Sequence, residues 1–271
     1  MDPSQSDRAK LFHRLHADGL LLLANVCDAG EARLVESLGA QAIATTSAGV
    51  AWSHGYADGG HLPVRLTVAT VERIARVIRL PLSVDLEAGF SDDPVTVGEN
   101  VAAVIGVGAV GINLEDGTGS PDLLCAKIGE VRCVGERLGV KLFINARTDT
   151  YLRGTFPPER RVEETLARAA RYRAAGADGL FVVGLVDPAE IRVIAGAVGL
   201  PLNVVARPGM VNRAELAAAG VRRLSAGSGI AEALFGRTAM LAAEFLHTGK
   251  LSPENEGAMA YRDVNALMTG Q

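Results

Sequence analysis

Eight short apolar runs divide the chain, and each is followed by a segment whose apolar residues recur at helical spacing. The runs are 19–26 (GLLLLANV), 41–46 (QAIATT), 81–85 (PLSVD), 110–114 (VGINL), 141–145 (KLFIN), 179–183 (GLFVV), 201–205 (PLNVV) and 221–225 (VRRLS). They are rich in Leu and β-branched residues and lack strict polar alternation, as strands buried on both faces of a parallel sheet do. Between them, Val71, Ile74 and Ile78 share one helical face, and so do Val162, Leu166, Ala169 and Tyr172. Asp187-Pro188-Ala189-Glu190 offers an N-cap, a proline at the first helical position and a glutamate at the capping-box position; Asn212 and Glu215 repeat the device. Gly39 and Gly176 stand where a left-handed residue ends a helix.

Eight strand–helix units in 271 residues predict an α/β fold, a (β/α)8 TIM-type barrel, in one domain spanning 1–271. An open doubly wound sheet fits less well, because no G-x-G-x-x-G turn follows the first run. Residues 1–15 read as an extra N-terminal helix, and 252–271 as a helical tail beyond the eighth unit.

Composition adds exclusions. Hydrophobic residues make up 48% and charged residues 21%, an ordinary globular balance. The net charge of −4, without a Lys/Arg run, gives nucleic acid or an anionic membrane no electrostatic footing. Three cysteines, none in a CxxC pair, argue against a disulfide framework or a structural zinc site. No apolar stretch approaches membrane-span length, and the first residues lack a signal-peptide pattern, so a cytoplasmic protein is expected.

In a barrel, chemistry gathers where strands end. Here those ends read Asn25-Val26-Cys27-Asp28, Thr45-Thr46-Ser47-Ala48-Gly49, Asp85-Leu86-Glu87, Glu115-Asp116-Gly117 and Asn145-Ala146-Arg147-Thr148-Asp149. Asp85 and Glu87, two apart, are expected on one face, with Glu115 or Asp116 joining them from the next strand. Such a cluster repels itself unless a cation neutralises it; hard oxygen donors without clustered His or Cys favour Mg²⁺, with Mn²⁺ as a second choice. Ser47-Ala48-Gly49 can offer backbone N–H groups to an anion. Arg147 can grip a substrate carboxylate with its fork, or pair with Asp149. Asn203, in the seventh run, is a further candidate for substrate contact. His13, His16 and His247 read as helix-surface positions, and Cys125 as a packed thiol.

Taken in order, Asn25-Val26-Cys27-Asp28-Ala29 with Ala32-Arg33, Thr46-Ser47-Ala48-Gly49, Gly55-Tyr56-Ala57-Asp58, Val84-Asp85-Leu86-Glu87-Ala88-Gly89, Leu114-Glu115-Asp116 and Ala146-Arg147-Thr148-Asp149 resemble the phosphoenolpyruvate mutase/isocitrate lyase superfamily. The resemblance, which extends to the carboxyvinyl-carboxyphosphonate phosphorylmutase-like members, implies Mg²⁺ reached by Asp85, Glu87 and Glu115, directly or through water. It implies ligand contact by Ser47, Ala48, Gly49, Asp85 and Arg147, with Asp58, Arg147 and Glu115 in catalysis and Asp58 on a gating loop. A helix exchanged between subunits, and hence a homodimer or homotetramer with the 252–271 tail on a neighbour, follows from the same analogy.

Departures narrow the expected activity. The lyase loop K-[KR]-C-G-H after the fourth strand is replaced by Gly117-Thr118-Gly119-Ser120-Pro121-Asp122, without Cys or His. The mutase and phosphonopyruvate hydrolase Asn loop is absent there too, and no His follows the sixth run, which ends Val183-Gly184-Leu185-Val186-Asp187 as in the oxaloacetate decarboxylase branch. The expectation is a lyase that cleaves a C–C bond of a small 2-oxo (di)carboxylate through a metal-stabilised enolate, with solvent or a nearby Tyr as proton source. Isocitrate or 2-methylisocitrate cleavage, phosphoenolpyruvate rearrangement and phosphonopyruvate hydrolysis are the alternatives, and a non-catalytic 2-oxo acid binding protein is the alternative of another class.

Overall fold

The computed structural model describes residues 4–251 and 257–269. Among them, nine short parallel strands lie in the order β1-β9-β8-β7-β6-β5-β4-β3-β2. β1 (Leu21–Leu23) and β2 (Asn25–Val26) are consecutive halves of the first apolar run. The first half pairs with β9 (Val221–Ser225) and the second with β3 (Ile43–Thr45), so the eight expected runs form a nearly closed barrel. β4 (Leu82–Asp85), β5 (Gly111–Glu115), β6 (Phe143–Thr148), β7 (Gly179–Val182) and β8 (Leu202–Val205) complete it. Helices alternate with them: α2 (Ala29–Ser37), α3 (Ser47–Ser53), α4 (Val64–Val77), α5 (Pro94–Gly106), α6 (Pro121–Arg137), α7 (Pro158–Ala175), α8 (Pro188–Ala197), α9 (Arg213–Ala218) and α10 (Gly229–Thr248). No helix among the described residues is long and apolar enough to cross a membrane.

The helix boundaries follow from the sequence chemistry. Asp28, Asp93, Ser120, Asp187 and Asn212 each accept a first-turn N–H through the side chain, and Asn212 and Glu215 close a full capping box. Gly176 ends α7 at φ 110°, where a side chain would be strained. The faces given by Val71 and Ile74 on α4, and by Ala169 and Tyr172 on α7, are buried against the barrel.

The N-terminal helix α1 (Gln5–Ala17) plugs the end of the barrel where the strands begin. A Cβ on Gly111 would stand 2.5 Å from a Phe12 ring carbon, so β5 opens with glycine to admit that ring. His16, expected on the helix surface, is instead 2% exposed and stacks on Phe143 at 3.9 Å between ring centroids. It continues the buried stripe of Ala9 and Phe12, which its polar character hid. Burial, with the Arg223 charge second, pushes the imidazole down to about 3, while Nδ1 faces the Phe12 carbonyl at 2.8 Å. A folded-state value below the unfolded one means that the unfolded chain binds the extra proton. Stability should therefore drop as pH falls from about 6.5 toward 3, by up to about 1.4 kcal/mol per pH unit. Urea unfolding at pH 7 and pH 5 checks this, and the same slope in His16→Phe would exclude His16 as its source.

Helix α11 (Tyr261–Thr269) lies against α2 of its own chain, with Arg33 Nε donating to the Leu267 carbonyl at 3.1 Å. The remainder of the 252–271 tail, residues 252–256 and 270–271, lies outside the described residues. On α10, Leu234, Phe235, Met240, Phe245 and Leu246 are all exposed, and Ala231 is its buried residue.

Candidate active site

The barrel interior carries a polar floor under the strand ends. Asn145 Nδ2 donates to Asn113 Oδ1 at 2.9 Å and to Asn203 Oδ1 at 3.0 Å. Asn203 Nδ2 reaches Ser225 Oγ at 3.2 Å, and Arg223 Nη2 donates to Asn113 Oδ1 at 3.1 Å. β7 has glycine at 179 because a Cβ there would stand 2.8 Å from Asn145 Oδ1. Asn203, expected to touch ligand, belongs to this floor and does not line the cavity above it. Arg223, 1% exposed, was not foreseen. Burial pulls its guanidinium down to about 9, partly offset by the Asp85 charge.

Above the floor opens a cavity of about 360 Å³. Ser47, Ala48, Asp58, Asp85 and Arg147 line it, with Leu152, Phe181, Val183 and Val205 as an apolar wall. Ser47 N donates to Asp85 Oδ2 at 3.1 Å, and Asn113 Nδ2 stands 3.5 Å from Asp85 Oδ1. Gly49 does not line the cavity: a Cβ there would be 2.2 Å from Cys27 Sγ, so this glycine serves close packing. The first turn of α3 has no side-chain cap, which leaves the amide group expected for anion contact at Ala48 on the cavity wall.

Glu87 comes to the acids by a route different from the strand pleat. β4 ends at Asp85, and Glu87 sits in a turn at φ 50°, a left-handed conformation that costs a non-glycine residue about 1–3 kcal/mol. The ladder nevertheless resumes through its carbonyl, which accepts Glu115 N at 2.9 Å. Its carboxylate is raised to about 7, first by burial, then by Asp58 and Asp85; the N–H groups of Gly59 and Gly60 work against that rise. Glu115 is raised to about 8, first by burial; Arg147 opposes this, and Asp85, Asp149 and Glu87 add to it. Glu87 and Glu115 also line an adjoining cavity with Lys127 and Arg153.

Arg147 makes the Asp149 pair that was one of its two expected roles, and it also lines the cavity. Its Nε and Nη2 hold Asp149 at 2.9 and 3.2 Å, and Nη1 lies 2.7 Å from Glu115 Oε2. Asp116, the alternative acid at the end of β5, is turned away from the cluster. Its carboxylate accepts Thr148 Oγ1, Asp149 N, Arg168 Nη1 and Tyr172 OH, and it is a structural hub. No thiol, imidazole or tyrosine lines the cavity among the described residues. Cys125 sits on α6, and His54 is bonded to Thr70 Oγ1 at 2.9 Å. The proposed Tyr proton source therefore has no match.

Four carboxylates, Asp58, Asp85, Glu87 and Glu115, raise one another's energy here, and Arg147 is the cation that faces Glu115. Among the described residues no three of His, Cys, Asp or Glu converge closely enough to ligate one ion directly. An acidic cluster too open for full protein ligation suits Mg²⁺, which keeps several waters and takes one or two carboxylates. It does not suit a tight four-ligand zinc site. Asp85 would hold the ion, with Glu87 and Glu115 reached through water.

This architecture is shared. An uncharacterized protein of Mycobacterium tuberculosis (strain ATCC 25618 / H37Rv) is 35% identical over 222 residues, covering 80% of this chain and 81% of its own length. An oxaloacetate decarboxylase of Marinomonas sp. (strain MWYL1) is 30% identical over 233 residues, covering 81% and 79%. Among solved structures, a Burkholderia cenocepacia J2315 protein provisionally designated a phosphonomutase superposes with a TM-score of 0.83 at 41% identity, over 89% of this chain and 99% of its own. A phosphonopyruvate hydrolase complex with oxalate and Mg²⁺ shares the fold, with a TM-score of 0.85 at 20% identity, over 97% and 95%. The phosphoenolpyruvate phosphomutase family matches residues 12–246, from the α1 plug to the last turns of α10. The chain belongs to the phosphoenolpyruvate phosphomutase family.

Proposed function

We propose that this chain is a Mg²⁺-dependent carbon–carbon lyase that decarboxylates oxaloacetate or another 2-oxo dicarboxylate. The observation that carries the reading is a cavity with Asp58 and Asp85 on its wall, coupled to Glu87 and Glu115 in the adjoining one, and no thiol or imidazole on its walls among the described residues. Retro-aldol cleavage of isocitrate needs an acid for its departing carbanion, and no thiol or imidazole among the described residues lines this cavity to supply it. Decarboxylation needs electrons accepted at the 2-oxo oxygen, and a proton that solvent entering the cavity can deliver to C3. Mg²⁺ bound at Asp85 would supply Lewis-acid stabilisation of that negative charge. The identity with an oxaloacetate decarboxylase, and the Mg²⁺ and oxalate in a protein of the same fold, support the same direction.

The chain's own residues supply the rest. Asp85 is fixed by Ser47 N and faces the cavity. Arg147, locked between Glu115 and Asp149, holds a charged fork at the cavity wall for a carboxylate. The Gly59 and Gly60 amides reach Glu87, so the Asp58 loop lies over the acid cluster and can limit water there. Phe181, Val183 and Val205 form an apolar stretch of the cavity wall, which would accommodate a departing neutral CO₂ better than a carboxylate. Pyruvate formation from oxaloacetate, followed with Mg²⁺ and after chelation and corrected for the free-metal rate, tests the proposal. A rate that chelation leaves unchanged would oppose the metal-dependent reading.

A further inference from the structure

The cavity has two ends of opposite character. One end is acidic, with Asp58 and Asp85 on its wall. Across the barrel from β4, by strand order, stand Arg207, on the loop that leaves β8, and further round Ser228 and Gly229, which begin the 20-residue helix α10. The N-terminus of a helix this long carries about half a positive charge. Ser228 gives it no side-chain cap, because its hydroxyl donates to Glu232 Oε1 at 2.5 Å; Glu232 is the one acid on this side. Arg207 is exposed and makes no ion pair with a described residue. Arg147 differs: three of its nitrogens already face Asp149 and Glu115. Within this cavity, Arg207 is the guanidinium that no carboxylate of a described residue pairs with.

Resting on the 2-oxo acid reading above, we infer that Arg207 recognises a second anionic group at C3 of the ligand, and so selects 2-oxo acids carrying a distal carboxylate or phosphonate over uncharged ones. A planar fork fits either group bidentately. If the distal carboxylate is the one that leaves as CO₂, Arg207 binds it in the ground state more than in the transition state. It then lowers KM without raising kcat.

Calorimetry in Mg²⁺ tests this with oxalate, 2-oxobutyrate, 3,3-difluorooxaloacetate and phosphonopyruvate, on the wild type, Arg207→Gln and Arg207→Lys. The wild type should bind at least one of the two C3-charged ligands about tenfold or more tighter than 2-oxobutyrate. Arg207→Gln should bring that ratio close to one, Arg207→Lys should restore part of it, and oxalate affinity should change by less than about twofold in both. Loss of selectivity for one of the two charged ligands alone supports the inference and names its group. A ratio unchanged in Arg207→Gln overturns it, and so does an oxalate affinity that falls in step with the others, because Arg207 would then act at the proximal end or on the fold. A wild type that binds no oxalate in Mg²⁺ would instead overturn the 2-oxo acid reading itself.

Discussion

Asp85→Ala should abolish Mg²⁺-dependent oxalate binding, weakening it by more than about 100-fold, since loss of residues that merely orient metal ligands already costs 10–100-fold. The side chain stands at the end of β4 on the cavity wall, held by Ser47 N at one oxygen and by a long 3.5 Å contact from Asn113 Nδ2 at the other, which leaves lone pairs for a cation. Replacing it removes one charge from a crowd of carboxylates, and the barrel should keep its circular dichroism spectrum. Calorimetric titration with Mg²⁺ and oxalate measures the effect. Binding that keeps its full Mg²⁺ dependence in the folded variant would remove Asp85 from the metal site.

The second large effect is on stability. Asp116→Ala should destabilise the protein by about 3–5 kcal/mol, because it strands the partners of a buried charge. Arg168 Nη1 and Tyr172 OH both donate to Asp116 Oδ2 at 2.7 Å, and Asp149 N donates to Oδ1 at 3.0 Å. These bonds tie α7 to the ends of β5 and β6, the strands that present Glu115 and Arg147. Asp116→Asn keeps an acceptor but loses the charge, and should cost less. Urea unfolding of both variants decides the matter; a loss under about 1 kcal/mol for Asp116→Ala would show that the hub is dispensable.

Much of this was legible in the residues. Strands such as 110–114 and 141–145 are buried on both faces, so continuous apolar runs marked them, and caps such as Asp187 and Asn212 marked where helices begin. Asp85, Ser47 and Arg147 share one cavity because a barrel places strand ends together. What stayed hidden has physical causes. Glu87 reaches the cluster through a left-handed turn that no alternation rule describes. In a short strand, neighbours such as Arg222 and Arg223 point to opposite faces, and sequence alone does not say which enters the barrel. His16 was misread by its polarity although its spacing from Phe12 was that of a buried stripe. Asn113, Asn145 and Asn203 repeat an interior amide on three strands, a pattern that could have signalled the floor. Arg207 follows the seventh run by two residues in an Arg-Pro-Gly loop, where local pattern does not separate an arginine lining a cavity from one facing solvent.

A side-by-side product assay decides the reaction type. With Mg²⁺ and one enzyme preparation, pyruvate release from oxaloacetate, net of the free-metal rate, is compared with glyoxylate release from isocitrate and 2-methylisocitrate and with phosphonopyruvate consumption. Oxaloacetate decarboxylation should be the fastest of these and should be lost in Asp85→Ala. Glyoxylate release that is faster by a wide margin would contradict it, since the cavity walls offer no thiol or imidazole among the described residues to serve as the acid for that cleavage.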